Sequence, residues 1–172
     1  MRGTASYGRR SETPVVPPPT RAGAPTAAAP ARPRKKVLFV CIGNSCRSQM
    51  AEALARAYGS DVIEAQSAGL SPATMIAPLT KRVLGERNIR MEGQFPKGFD
   101  MMVREKYDVI VNMSGQNLQG QTLLVQAGAL ASARVVDWHV VDPIGRTDEV
   151  YRSVAAHIEG LVMALILELR AG

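Results

Sequence analysis

The sequence predicts an α/β fold: a four-stranded parallel sheet flanked by helices on both faces, with a phosphate-binding loop between the first strand and the first helix. Three observations carry that expectation. Short β-branched runs alternate with stretches of helical period. The strand cores "VLFV" and "VIV" are apolar without alternation, which marks strands covered on both faces. The first strand runs into "CIGNSCR", outside the carboxyl end of a strand, where such sheets bind ligands.

The elements follow in order. Residues 37–40 form the first strand. From Ser48, apolar residues at Met50, Ala51, Leu54, Ala57 and Tyr58 keep helical spacing, and Gly59 ends the helix. "DVIEAQSAG" is the second strand. Residues 78–87 form a helix with Pro78 in the first turn, where its missing N–H costs nothing. "KYDVIVNMSG" is the third strand and "ARVVDW" a shorter fourth. Residues 147–170 form the last helix. Its apolar stripe is Val150, Val154, Ile158, Leu161, Val162, Leu165 and Leu169, and Asp148 and Glu149 sit in the first turn, where the helix dipole favours acids.

Ahead of this domain, 34–172, lies a Pro-, Ala- and Arg-rich tail, 1–33. The tail has no strand or helix period and too little apolar surface to offset its ordering entropy, so it is expected to be disordered. It lacks the apolar core of a secretory signal, and its Arg-rich, acid-poor composition resembles an organelle transit peptide. Residues 1–36 hold eight basic side chains against Glu12, a local charge of +7; the chain totals +6, so the remainder carries −1. A basic tail on a near-neutral domain attracts polyanions only non-specifically, and no specific nucleic-acid partner is expected. The longest apolar run, 161–167, falls short of the ~18 residues of a membrane span. Two cysteines five apart make no disulfide framework and point to a reducing compartment, the cytoplasm, and a reactive thiol.

The loop's chemistry follows from its place. A helix N-terminus leaves unpaired N–H groups and partial positive charge, and a loop curled over it makes an anion cradle. Gly43 and Asn44 tolerate the left-handed backbone that a tight cradle needs. Arg47 adds a planar fork matched to a tetrahedral oxyanion. Ile42, Gly43, Asn44, Ser45, Cys46, Arg47 and Ser48 are the expected substrate-binding stretch. The same field is expected to lower the pKa of Cys41 from ~8.5 into the ~3.5–7.5 range, giving a thiolate beneath the bound oxyanion. A Walker loop needs Gly-Lys-Ser/Thr, a dinucleotide fingerprint needs three spaced glycines, and neither is present. Cys41 and Cys46 are not spaced as zinc ligands; no metal and no cofactor is expected.

A leaving group needs a proton. Asp142, in the rigid "DP" dipeptide after the fourth strand, is the candidate acid. It also suits an Asx turn. Asp137 and His139 are nearby competitors, and His157 on the last helix reads as structural.

"VLFVCIGNSCRSQMAEA" followed by a late "DP" resembles the low-molecular-weight protein tyrosine phosphatases and their sister group, the thioredoxin-coupled arsenate reductases. The resemblance implies Cys41 as nucleophile, Arg47 as phosphate clamp, Asn44 as loop-shaping residue and Ser48 as hydrogen-bond donor to the thiolate. It implies Asp142 as general acid, with Ser67 and Gln94 supporting Asn44, and Trp138 part of a "W-x-x-x-D-P" motif. It also implies that Cys46 pairs reversibly with Cys41, guarding it from over-oxidation.

Two departures matter. Ile144 and Gly145 stand where the eukaryotic-type phosphatases carry the tyrosines that wall the aryl pocket. "GNSCRSQMAE" looks more like the arsenate reductases, which shuttle a disulfide through two further cysteines. This chain has neither, and Ser114 stands where the first would fall. The leading expectation is therefore a phosphomonoester phosphatase of the phosphotyrosine type, acting through a phosphocysteine on a phosphorylated protein or small phosphomonoester. The alternative is an arsenate reductase of the same fold that uses an external low-molecular-weight thiol or thiol reductant. A non-catalytic phosphate-binding module is a third class, which needs neither the cysteine nor the acid.

Overall fold

The computed structural model describes residues 32–102, 104–120, 128 and 132–172. The expected tail lies outside the described residues except at positions 32 and 33. Four strands form one parallel sheet: β1 (Lys35–Cys41), β2 (Ile63–Gly69), β3 (Val109–Asn112) and β4 (Arg134–Asp137), in the order β2-β1-β3-β4. β1 is central, which is why its residues from Val37 onward are all buried. Val37, Phe39 and Cys41 join the core of one face, and Leu38 and Val40 that of the other. The unbroken apolar run therefore serves two cores.

Helices α1 (Arg47–Tyr58), α2 (Pro78–Glu86) and α3 (Asp148–Ala171) pack on the first face, around Phe39, Met50, Leu54, Leu84, Ile158 and Ile166. The short 3₁₀ helices Phe99–Met101 and Leu118–Gly120 cover the second face, with Tyr107 and Ile110. Pro78 opens α2 as expected. α3 starts at the Thr147 cap, whose hydroxyl accepts from Val150 N–H. At 24 residues, with a mean hydropathy of 1.5 over its most apolar 18, α3 is long and apolar enough to cross a membrane by composition. An alternative use of that apolarity is visible: Val154, Ala155, Ile158, Val162, Leu165 and Ile166 are buried in the core shared with α1.

Gly59 ends α1 for a different reason from the expected one. Its φ is −126°, so it needs no left-handed freedom. A Cβ there would lie 2.7 Å from Ile166 Cγ1, so the glycine lets α3 approach the end of α1.

The register sets the site. Cys41 pairs with Gly69, Val40 with Asn112, and Asn112 with Asp137. The loops that follow β1, β2, β3 and β4 thus leave the sheet at one edge, and all reach the same place.

Candidate active site

Cys41 is the last residue of β1 and is 2% exposed. The loop after it is shaped from outside by the segment that follows β2. Leu70 N–H donates to Cys41 O (3.1 Å), Ser71 to Ile42 O (2.9 Å), Ala73 to Gly43 O (2.8 Å) and Ala77 to Ser45 O (3.0 Å). Thr80 Oγ1 adds a second bond to Ser45 O at 3.1 Å. The C=O and N–H of a trans peptide point opposite ways. Carbonyls held outward therefore turn the N–H edge into the concavity, and Asn44 N–H does point at Cys41 Sγ, 3.3 Å away. Asn44 takes the left-handed conformation, φ +48°. Gly43, expected to share that role, does not have a positive φ. The glycine that the loop needs is Gly69: a Cβ there would sit 2.7 Å from Ile42 O and 2.9 Å from Asn44 N.

Beneath the loop runs a buried polar chain. Ser48 Oγ lies 2.8 Å from Cys41 Sγ. Asn44 Nδ2 donates to Ser48 Oγ (2.8 Å) and to Ser67 Oγ (2.9 Å). Ser67 in turn donates to Glu52, which is 1% exposed and is met by Lys97 Nζ at 3.5 Å and by Arg56 Nη2 at 2.5 Å. Asn44 Oδ1 accepts from Lys97 N–H and from Gln49 Nε2, both at 2.9 Å. Ser67 thus stands against Asn44 directly, whereas Gln94 is one step removed, donating to Gln49 Oε1 at 2.7 Å. Gln49, Glu52, Thr80 and Lys97 were not singled out from sequence. The signal for two of them was present in "RSQMAE": Gln49 and Glu52 are polar residues in the first two turns of α1, where every residue is buried.

Arg47 is 6% exposed and spans two loops. Nη1 donates to Met113 O (2.8 Å) and Val140 O (3.4 Å), and Nη2 pairs with Asp142 Oδ2 at 3.1 Å. Asp142 is half exposed, and its other oxygen accepts from Ile144 N–H at 3.1 Å. The Asx turn and the placement over the loop are therefore both present. A cavity of about 220 Å³ is lined by Cys41, Ile42, Gly43, Ser45, Cys46 and Arg47 and closed by Asp142 and Ile144. Among the described residues, no aromatic side chain lines it.

The competitors lie elsewhere. Asp137 accepts from Asn112 Nδ2 at 2.7 Å, and His139 is exposed; both line a neighbouring groove. His157 is on the exposed side of α3. Trp138 packs on Phe39, ring centroids 5.9 Å apart, and does not line the Cys41 cavity. Cys46 caps α1 from a buried position, and both cysteines are free thiols. Burial pushes the Cys46 thiol up to about 12, with the charge on Cys41 adding to the rise and a hydrogen bond with Thr80 opposing it. Among the described residues, no cluster of His, Cys, Asp and Glu is arranged to hold a metal ion.

A loop of this form, with a cysteine beneath it and an arginine beside it, is matched by one family pattern, that of the low molecular weight phosphotyrosine protein phosphatases, over residues 36–172. The chain belongs to that family. Its members are cysteine-based enzymes that work on phosphate substrates, or on arsenate with a thiol reductant. The chain is 32% identical over 137 residues to the glutaredoxin arsenate reductase of Synechocystis sp. (strain ATCC 27184 / PCC 6803 / Kazusa), covering 78% of this chain and 98% of that protein. Among solved structures it resembles an arsenate reductase in the phosphate binding state, with a TM-score of 0.69, 32% identity and 78% and 98% of the two chains covered. It also resembles the YwlE arginine phosphatase from Geobacillus stearothermophilus, with a TM-score of 0.66, 26% identity and 80% and 94% covered.

Proposed function

We propose that the chain reduces arsenate through Cys41, with an external thiol supplying the electrons. The observation that carries this reading is the shape of the Cys41 cavity. It offers a tetrahedral oxyanion an N–H-lined cradle and Arg47, and among the described residues it offers an aryl group no aromatic wall. The relatives support the same order, which reverses that expected from sequence.

The chemistry runs through this chain's own groups. The Cys41 thiolate attacks arsenic, and a hydroxyl of arsenate leaves as water with a proton from Asp142. Arg47 and the loop N–H groups hold the remaining oxyanion charge. An external thiolate then attacks Cys41 Sγ. The sulfur–arsenic bond breaks, its electron pair stays on arsenic, and arsenite departs with arsenic taken from the +5 to the +3 state. A second thiol resolves the mixed disulfide. The sum is arsenate plus two thiols to arsenite, one disulfide and water. Cys46 is not the attacking thiol: it is buried and neutral at physiological pH.

Hydrolysis of a phosphomonoester, or of an N-phosphoryl group as in the Geobacillus neighbour's name, is a second reading favoured by one observation. The Asp142 carboxylate sits at the cavity mouth, where a leaving oxygen or nitrogen needs a proton. Arsenate-dependent thiol oxidation and aryl phosphate hydrolysis, measured side by side on wild type and Cys41→Ser, test the order. Thiol oxidation that needs arsenate and Cys41 is expected. Aryl phosphate turnover without any arsenate-dependent thiol oxidation would put hydrolysis first.

A further inference from the structure

An external thiol needs a place to bind, and a cavity larger than the Cys41 pocket lies along the sheet's carboxyl edge. It is a groove of about 450 Å³ beyond β3 and β4. Gly115, Trp138 and His139 line both this groove and a second cavity of about 330 Å³ that ends at Arg47. Together they make a trough leading to the arginine whose far nitrogen sits on Asp142 at the Cys41 cavity.

The trough is built and not incidental. Its floor is Asn112, 4% exposed. Asn112 Nδ2 donates to Asp137 Oδ1 (2.7 Å) and Gln116 O (2.9 Å), and Oδ1 accepts from Ser114 N–H (3.0 Å) and hydroxyl (2.6 Å). Trp138 is fixed from behind by Phe39 and by its N–H bond to Asn112 O at 2.8 Å. The walls are chemically specific. Asn117 and Gln119 present amides, Asp137 a carboxylate, and Trp138 an aromatic face. Among the described residues, no lysine lines either part and Arg47 is the one arginine, at the far end. Such a surface hydrogen-bonds hydroxyls and amides, stacks on a ring, and repels an anionic body. The volume is that of a small-molecule site.

We propose that this trough binds the body of the reducing co-substrate: a low-molecular-weight thiol with an uncharged, hydroxyl- and amide-rich body. The body lies against Trp138, Asn117, Gln119 and Asp137, and the sulfhydryl extends past Arg47 to Cys41. The inference rests on the reductase reading and adds to it the site and chemistry of the thiol. It also gives physical meaning to Ser114: where an internal cysteine relay would begin, this chain has a serine bonded into the floor of the trough.

Trp138 is the chain's one tryptophan, so binding is read directly by its fluorescence. Two thioether probes that cannot react separate the sources of such a body: methyl 1-thio-β-glucopyranoside, neutral and glycosidic, and S-methylglutathione, peptidic and anionic. A saturable change is expected with the glycoside and none at the same concentrations with S-methylglutathione. Val135→Arg, which places a long side chain into the groove, and Gln119→Ala, which removes an amide, should weaken it. In turnover, both variants should lower kcat/KM for 1-thioglucose about tenfold more than for dithiothreitol, as expected for one or two lost hydrogen bonds. No saturable change with the glycoside, or variants that affect all thiols alike while arsenate turnover persists, overturns the thiol site and leaves the reductase reading standing. Absence of arsenate turnover with every thiol overturns both.

Discussion

Ser48 Oγ lies 2.8 Å from Cys41 Sγ and accepts a hydrogen bond from Asn44 Nδ2, also at 2.8 Å. With Asn44 donating to its oxygen, the hydroxyl proton of Ser48 is directed at the sulfur, a bond that favours a thiolate. Ser48→Ala should lower turnover about 10- to 100-fold, the value of one charge-assisted hydrogen bond. Steady-state kinetics check this, with phosphate binding as the control. Unchanged turnover would remove Ser48 from the chemistry.

The cradle depends on a residue outside it. Gly69→Ala forces a methyl group against Ile42 O and Asn44 N, both backbone atoms that cannot rotate away. The loop must shift by several tenths of an ångström, which disperses N–H groups that act together on one oxyanion. Phosphate affinity should fall at least about tenfold with the helix content intact. Equilibrium dialysis and circular dichroism read the two effects separately.

The fold was legible because the strand cores are apolar on both faces and the helices keep a clean period. The loop was legible because Cys41, Asn44, Arg47 and Ser48 fall within eight residues at a strand-to-helix junction. What stayed hidden is what sequence distance hides. The outward anchors of the loop come from 70–77 and Thr80, and the Arg47 partners come from Met113 and Val140, 66 and 93 residues away. Gly69 reads as an ordinary strand end until Asn44 is seen to rest on it.

Cys46 and Cys41 should part company under alkylation. A thiol held at about 12 by burial stays unreactive at pH 8, so iodoacetamide should label Cys41 alone in the folded protein and both in urea. The same shift has a stability consequence. The folded pKa is raised above the unfolded ~8.5, so the neutral thiol's contribution is whole below pH ~8.5 and is lost as pH rises toward 12. Urea midpoints should fall across that window, and less steeply in Cys46→Ala.

Glu52 carries a buried charge balanced by Lys97 and Arg56. Lys97→Met removes the partner that is itself 9% exposed and leaves the carboxylate to the half-exposed arginine. Breaking a buried pair from one side costs about 3–5 kcal/mol at full burial, and Arg56 should retain part of that. A loss of about 2 kcal/mol in urea unfolding is expected, with recovery in Lys97→Met/Glu52→Gln. A double variant no more stable than the single would show that Lys97 does not balance Glu52.

Asp142 is where the two readings of the site make different demands. Its carboxylate is bound to Arg47 on one side and to Ile144 N–H on the other, so Asp142→Asn keeps the turn and removes the proton donor. If the group leaving arsenate departs as water, Asp142→Asn should cost about 10²–10⁴ in the rate of adduct formation. The later attack of thiol on Cys41 Sγ needs no proton from Asp142 and should keep its rate. Rapid-quench kinetics separate the steps: a slowed first step with an unchanged second is expected. For phosphate ester hydrolysis the loss should instead grow with the leaving group's pKa, large for an alkyl phosphate and small for p-nitrophenyl phosphate. Equal rates in wild type and Asp142→Asn for every substrate would take the acid role from Asp142. Asp137 and His139 would not inherit it by position, because neither lines the Cys41 cavity.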